Sequence, residues 1–595
     1  VRTHFPHSIQ NKKTPSAVCM PRLLLRGITI HIFLTGIFGS ALAQDAGRLL
    51  QEQQWRQKMQ KPPESSPESQ SSPSQQTAPV QQKTSKTFLV KELRFSGKIE
   101  LLPVDERKLL ADEIQNKRVS ITELQSLADE ATSSLQKRGH LLARVLLPSQ
   151  DVTEGFVTLD IADGTLEKID IERGKEVRIR EDLLRAIAEK NIHVNNVSKE
   201  KLEEALLRMN DLPGVAARGS IGPGTASDTS RLAIKIEQAP VFSASLRQDN
   251  YGRTDASRAQ SNALATLTDL TGLGDQTRFT GSFSEAQKFA QADTSIPLRA
   301  SGFTARASYA YLTYRDIDGA GHVAGLEGFA NYLAAGLDYD LIRSRRRNLR
   351  LSTMFNWKVL VDDSIAGRLQ NKRVWSNNFS LVGDLRDESE QSSLTNWSLD
   401  WTWGDLDLSR VPSAQAADAA TLKTQGNYHR VSSNLSRVQS LSRNLSLFTH
   451  LYGQWANKNL DSSEDFALGG PYGVRGWPVG EGRGDMGALG TVELRYDAPV
   501  PQLWGKIQLS ALLDGGRVWV NKNSNNVPSL TAYGCNAYNL KSVGVGMRWV
   551  GENLSIAAIY AQGIGSNPGR STTDDTQANG QTRNRQFWLQ GESRF

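Results

Sequence analysis

Trp397-Ser398-Leu399-Asp400-Trp401-Thr402-Trp403 decides the fold of this chain. The large apolar side chains fall on odd positions and the small or polar ones on even positions, which is the period of a strand and not of a helix. Asp400 stands in the polar row. A carboxylate in a dry sandwich core would be costly, whereas a strand with lipid on one face and a wet lumen on the other tolerates it. The same alternation recurs in Leu333, Ala335, Leu337, Tyr339 and Leu341 against Asp338 and Asp340, and in Val492, Leu494 and Tyr496 against Glu493, Arg495 and Asp497. About sixteen strands read this way lie in order near residues 242, 258, 275, 288, 302, 329, 348, 372, 394, 425, 443, 487, 504, 538, 552 and 585. Residues 240–595 thus leave roughly 22 residues per strand and connection, where a spanning strand needs about 9 to 11. Tight turns at Gly272-Leu273-Gly274-Asp275, 344–348 and 551–553 alternate with long loops at 316–328, 405–424, 458–486, 521–537 and 565–584. That is the asymmetry of a membrane barrel with short periplasmic turns and long outer loops. The chain stops at Phe595, in phase with Phe587 and Leu589.

The rest of the composition agrees with a membrane all-β reading. Mean hydropathy is -0.43 and 38% of residues are hydrophobic, and no run after the leader approaches the length of a spanning helix. The formal charge of +7 suggests nucleic acid only at first sight. Residues 1–43 carry Arg2, Lys12, Lys13, Arg22 and Arg26 and no acid, so +7 less these five leaves +2. Residues 1–43 read as a leader with a signal peptide: a basic cluster at Arg22 and Arg26, an apolar stretch from Gly27 to Ser40, and Ala41-Leu42-Ala43 as a small-x-small cleavage site. Met20 is the expected translation start. Cys19 and Cys535 are the only cysteines, too few for a zinc-type cluster, and neither a metal nor a cofactor is expected.

Residues 44–61 are rich in helix formers, with Leu49, Leu50, Gln53 and Trp55 giving a weak apolar stripe. Residues 62–86 are rich in Pro, Ser and Gln and form a tether. Two units with the same order of elements follow, at 87–164 and 165–239. The first has a strand over 88–95, a helix over 104–115, a second helix opened by the capping box Ser120-x-x-Glu123 and closed at Gly139, then strands around 141–147 and 156–161. The second repeats this with a strand over 166–171, helices over 179–189 and 199–209, and strands over 215–220 and 232–237. Both are βααββ modules.

Gly469-Gly470-Pro471-Tyr472-Gly473-Val474-Arg475-Gly476-Trp477 lies in the long loop 458–486. With these residues the chain resembles the outer-membrane transporters of two-partner secretion, the haemolysin-activator (ShlB/FhaC/HecB, TpsB) type. The resemblance covers nearly the whole chain after the leader and implies an N-terminal plug helix, two POTRA modules and a sixteen-stranded barrel. Val474, Arg475, Gly476 and Trp477 match the family's signature on an inward-folding loop. Further matches are Asp249, Asn250 and Gly252 in the first barrel strand, Gly272, Gly274 and Asp275 at the first periplasmic turn, and Asp514 with Gly516 on the thirteenth strand. Leu512 departs from the pattern, since an aromatic is usual there. The resemblance implies that Arg475 pairs with Asp514. A physical reason stands beside it: Ile507, Leu509, Ala511 and Leu513 share one face, which turns Asp514 to the lumen, and a guanidinium carried inside needs a carboxylate.

The implied function is export of one partner exoprotein, β-helical and adhesin- or haemolysin-like, recognised in the periplasm by the POTRA modules. Strand addition offers a route, and the last strand of each module is the expected edge: Phe156, Val157, Leu159 and Ile161 in the first, Leu232, Ile234 and Ile236 in the second. Outer-membrane lipid, lipopolysaccharide and the barrel-assembly machinery are further expected partners. The second reading is a barrel-assembly or autotransporter-assembly insertase of the same superfamily. No phosphate-binding loop, Gly-x-Ser-x-Gly elbow or His-Glu-x-x-His helix is present, so neither a nucleotide nor an enzyme activity is expected. The basic run 343–347 is assigned to lipid headgroups or solvent, and Trp357, Trp375, Trp504 and Trp549 to lipid-facing or girdle positions.

Overall fold

A computed structural model describes residues 45–60, 87–192, 197–225, 229–387, 393–501, 505–525, 527, 531, 533–571 and 575–595. The leader, the tether 62–86 and Trp504 lie outside the described residues. Sixteen antiparallel strands, from Phe242–Asp249 to Arg585–Arg594, close into a barrel. On the ninth, Ser393–Asp407, Leu399, Trp401 and Trp403 are exposed on the outside, whereas Asp400 and Thr402 are buried in the lumen. No described helix is long and apolar enough to cross a membrane. Every strand read from the sequence is present, but two outer connections, 284–286 and 365–366, are as tight as the inner turns. Trp357 is exposed on the outer face, and the Arg373 guanidinium sits 5.7 Å from its ring centroid.

The second module docks on the short-turn end. The backbone N–H of Arg180 donates to the Gly272 carbonyl at 2.9 Å, and Lys190 donates to the carbonyls of Ala300 and Ser301 at 2.9 and 3.1 Å. The turn suits this contact. Gly272 and Gly274 have φ of 76° and 72°, a region that favours glycine, and a Cβ on Gly272 would stand 2.9 Å from the Arg178 carbonyl. Asp275 accepts from the Thr271 N–H at 2.9 Å. Burial pushes the Asp275 carboxyl up, but the bonds from Thr271 outweigh it and hold the group below its ordinary value. The basic run is part of the same joint: Arg343 meets Asp211 at 2.6 Å and Arg345 meets Glu203 at 3.6 Å, both on the second module. Carboxylates of the second module, not only headgroups or solvent, are therefore the neighbours of those two arginines.

Each module packs two helices on a three-stranded sheet. The first has helices Val104–Ile114 and Ile121–Lys137, the latter opened by a capping box between Ser120 and Glu123. Its first strand breaks at Lys91: Thr87–Val90 pairs with an unforeseen strand, Lys117–Ser120, and Glu92–Gly97 joins the sheet. The second has helices Glu181–Asn191 and Lys199–Asn210. Leu141 and Leu142 of the first module pack into the core of the second.

The sheet order corrects the expected edges. Phe156–Ala162 lies between Glu92–Gly97 and Arg144–Leu146, and Thr229–Gln238 lies between Thr165–Arg173 and Val215–Pro223. The last strand of each module pairs parallel with the first and antiparallel with the one before it, so it is central. Its ladder is already satisfied on both sides. Val157, Leu159, Ile161, Leu232, Ile234 and Ile236 point into the cores at 0–1% exposure, and Phe156 lies under the Arg94 guanidinium at 4.4 Å.

Candidate functional site in the barrel lumen

The loop between barrel strands Leu445–Ala456 and Met486–Ala498 folds into the lumen, which fills with polar and charged groups as the alternation requires. Arg475 is 7% exposed there. Its Nε and Nη2 donate to the two oxygens of Asp514 at 3.1 and 2.8 Å, and its backbone N–H donates to Asp514 at 3.1 Å. Asp514 also accepts from the hydroxyls of Thr491 and Ser542, both at 3.0 Å. A second carboxylate, which the sequence reading did not assign, completes the shell: Nη1 of Arg475 donates to Glu493 at 2.9 Å, and Glu493 in turn accepts from Arg495 at 3.1 Å. Two guanidiniums therefore face two carboxylates, so the burial of Arg475 is electrically balanced.

The signature residues around Arg475 fix the loop to the far wall. Trp477 is fully buried and donates through Nε1 to the Lys541 carbonyl at 3.0 Å, while Trp588 donates to the Arg475 carbonyl at 2.8 Å. Val474 is fully buried in an apolar cluster with Phe466 and Leu468. Gly476 is required by close approach, not by a left-handed backbone: a Cβ there would stand 2.5 Å from the Gly563 nitrogen and 2.7 Å from the Ser542 Cβ. Gly516 serves the same purpose on the wall, because its missing side chain leaves room for Leu468. On the other side of the lumen the same loop is held by three ion pairs, Asp461 with Lys372 at 2.7 Å and Glu464 with Lys358 and Arg430 at 2.6 and 2.8 Å.

Helix Ala46–Gln60 lies in the lumen against this loop. Asp45 caps it by accepting from the Arg48 N–H at 2.7 Å, and the Ala46 N–H donates to Asp362 at 2.8 Å near the outer end of the barrel. The weak apolar stripe has a definite partner: Leu49 and Leu50 are 0–1% exposed and pack with Tyr314, Leu360, Leu406 and Tyr428. Glu52 pairs with Arg483 of the loop, and Gln51 donates to the Asp465 carbonyl. Lys58 meets Asp400 at 3.0 Å, so the polar row of the ninth strand is read by the helix. Trp55 stacks edge-on against Tyr452 with centroids 4.5 Å apart. Between helix, loop and wall lies a cavity of about 250 Å³.

The model of the haemolysin secretion/activation protein ShlB/FhaC/HecB family matches residues 228–547, more than half of the chain, and that of the ShlB-type POTRA domain matches residues 88–164. The chain belongs to this family. It is similar to the heme/hemopexin transporter protein HuxB of Haemophilus influenzae (strain 86-028NP), with 26% identity over 84% of this chain and 87% of the relative. It is also similar to the outer membrane transporter CdiB of Dickeya dadantii (strain 3937), with 24% identity over 79% and 82%. The solved structure of CdiB from Escherichia coli matches with a TM-score of 0.65 at 17% identity, over 94% of this chain and all of that one, which speaks for the fold. The protein is therefore an outer-membrane transporter of two-partner secretion, and its docked modules stand in the periplasm. The insertase reading is the less supported one.

The other residues singled out in the sequence lie at the barrel seam and in the first inner turn. The first and last strands share only five residue pairs, Gln590 with Asp249 to Arg594 with Ser245. Asn250 extends the pairing with its side chain, donating to the Phe587 carbonyl and accepting from the Leu589 N–H, both at 2.9 Å. Phe595 extends it at the other end by exchanging backbone bonds with Ala244 at 2.9 and 3.1 Å. Asp249 accepts from Arg247 and Asn262 at 3.1 and 3.0 Å, and the Gly252 N–H donates to the Arg258 carbonyl at 2.9 Å in the tight loop that follows. These residues organise the seam and do not touch Arg475 through their side chains among the described contacts.

Proposed function

We propose that the transporter exports one large partner exoprotein, β-helical and adhesin- or haemolysin-like, through the lumen, and that helix 46–60 and loop 458–486 close this route at rest. The observation that carries the reading is that helix 46–60 and loop residues 458–485 sit inside the closed barrel and none of them belongs to one of its sixteen wall strands. Either can leave without breaking the wall ladder. The tether 62–86 gives the helix room: about 25 residues average roughly 27 Å end to end, near one bilayer core.

Recognition of the exoprotein in the periplasm uses the outer strands of the module sheets. With the last strands central, the edges are Arg144–Leu146 and Glu92–Gly97 in the first module and Val215–Pro223 and Thr165–Arg173 in the second. An extended segment adds there through backbone bonds. Folding of the exoprotein outside supplies the free energy, since the family signature brings no nucleotide site. Lipopolysaccharide surrounds the barrel, and the barrel-assembly machinery inserts it. Deleting residues 45–60 should raise conductance in planar bilayers while secretion persists; an unchanged conductance would remove the helix from the closing role.

A further inference from the structure

Among the described residues, three exposed cations on the outer wall form no ion pair. Arg517 on the thirteenth strand Lys506–Trp519, Lys541 on the fourteenth Ala537–Val550 and Arg585 on the sixteenth Arg585–Arg594 are exposed, and among the described residues none forms an ion pair. Their direction follows from the alternation: Leu513, Val543, Phe587 and Leu589 lie on the same outward rows and are exposed. No outward position of the last four strands carries Asp or Glu.

The ladder brings the three together. Arg517 stands opposite Asn539, two residues from Lys541; Val543, two residues further, stands opposite Gln562, which stands opposite Arg585. With strands about 4.8 Å apart and about 3.3 Å per residue, Lys541 lies about 8 Å from Arg517 and about 12 Å from Arg585 along the wall. All three are at the ends remote from the docked module. Lys541 and Arg585 are each about 6.6 Å above an exposed apolar residue, Val543 and Phe587, so they stand where the hydrocarbon ends and headgroups begin. Trp519, with the Arg517 guanidinium 5.1 Å from its ring centroid, marks the same interface.

Three other cations of the outer rim stand beside a carboxylate. Arg315 faces Glu327 in the ladder, Arg368 meets Asp363 at 2.7 Å, and Arg410 meets Asp407 at 2.7 Å. Lys288, exposed near the outer end of the fourth strand, also forms no ion pair among the described residues, but the last four strands gather three such cations, with Lys541 about 8 and 12 Å from the other two.

We propose that the outward face of strands thirteen to sixteen binds the phosphorylated headgroup of an outer-leaflet glycolipid, through Arg517, Lys541 and Arg585. A disaccharide with a phosphate at each end spans the set, while its acyl chains lie on Leu513, Val543 and Phe587. The proposal rests on the outer-membrane location and not on the export reading, since a purified barrel exports nothing.

The test uses the full chain in detergent, read by the temperature at which the folded form is lost, with diphosphoryl lipid A titrated in. Each cation near a charged headgroup is worth about 5-fold in affinity, so R517Q/K541Q/R585Q should need ~100-fold more lipid for the same shift, and K541Q alone about 5-fold more. Each variant is compared with its own lipid-free midpoint, which separates lipid binding from basal stability. R315Q/R368Q/R410Q removes the same charge from matched sites and should stay close to the unmodified chain. The proposal is overturned if the first triple variant titrates like the unmodified chain, if the matched-site triple loses as much, or if fully dephosphorylated lipid A shifts the midpoint equally.

Discussion

Replacing Leu49 and Leu50 with alanine should open the pore far more than breaking the ion pair at the other end of the helix. Both leucines are 0–1% exposed in a cluster with Tyr314, Leu360, Leu406 and Tyr428. Leu→Ala in such a setting costs about 2 to 5 kcal/mol, and two adjacent truncations share one cavity, so about 4 kcal/mol is a conservative sum. At 1.4 kcal/mol per tenfold, the ratio of departed to seated helix rises by about 10³. Lys58 is different. Its side chain is 42% exposed beside Asp400, and such a pair contributes about 0 to 1 kcal/mol, at most about fivefold. The assay is the open fraction of single channels in planar bilayers, with heat-dependent migration as the check that the barrel itself is intact. A Lys58→Met variant that opens as much as the Leu49→Ala/Leu50→Ala pair would refute the view that the apolar contact seats the helix more firmly than the Lys58–Asp400 pair.

Other perturbations act on the loop and the joint. Asp514→Asn leaves Arg475 with Glu493 as its sole charged acceptor and should loosen loop 458–486 by about 3 kcal/mol, seen as new cleavage by external trypsin in intact cells. Gly476→Ala places a Cβ 2.5 Å from the Gly563 nitrogen, a backbone atom that cannot give way, so the loop should fail to seat and conductance should rise while the barrel still folds. Asp275 has a folded value below its unfolded one, so it stabilises the docking turn above the unfolded value and loses that contribution as pH falls through the folded one. Asp275→Asn should therefore weaken the joint at neutral pH and flatten its acid sensitivity, measured by proteolytic release of the modules across a pH series.

The barrel was legible because each strand carries its own signal: lipid outside and water inside impose a period of two that needs no knowledge of the neighbours, as in Trp397–Trp403. Arg475 and Asp514 were legible from family motifs together with strand phase, and in the structure they meet. Glu493 was visible as a lumen-facing acid but not as a partner of Arg475, because that depends on register, which sets Glu493 opposite Leu512 and Thr491 opposite Asp514. The module edges were misread for a related reason. Chain order says which strand comes last, whereas the parallel pairing of first and last strands decides which lies in the middle. The pairs Lys358 with Glu464 and Arg343 with Asp211 join segments more than 100 residues apart, and nothing local announces them.

The most direct test of the lumen as the export route is photo-cross-linking in cells that secrete a co-expressed partner exoprotein. A photoreactive residue at Ser432, buried on the lumen side of the tenth strand, should give adducts with the exoprotein in transit, and one at Leu435, 43% exposed on the lipid side of the same strand, should give none. Continued secretion with adducts from position 435 and none from position 432 would contradict passage through the barrel.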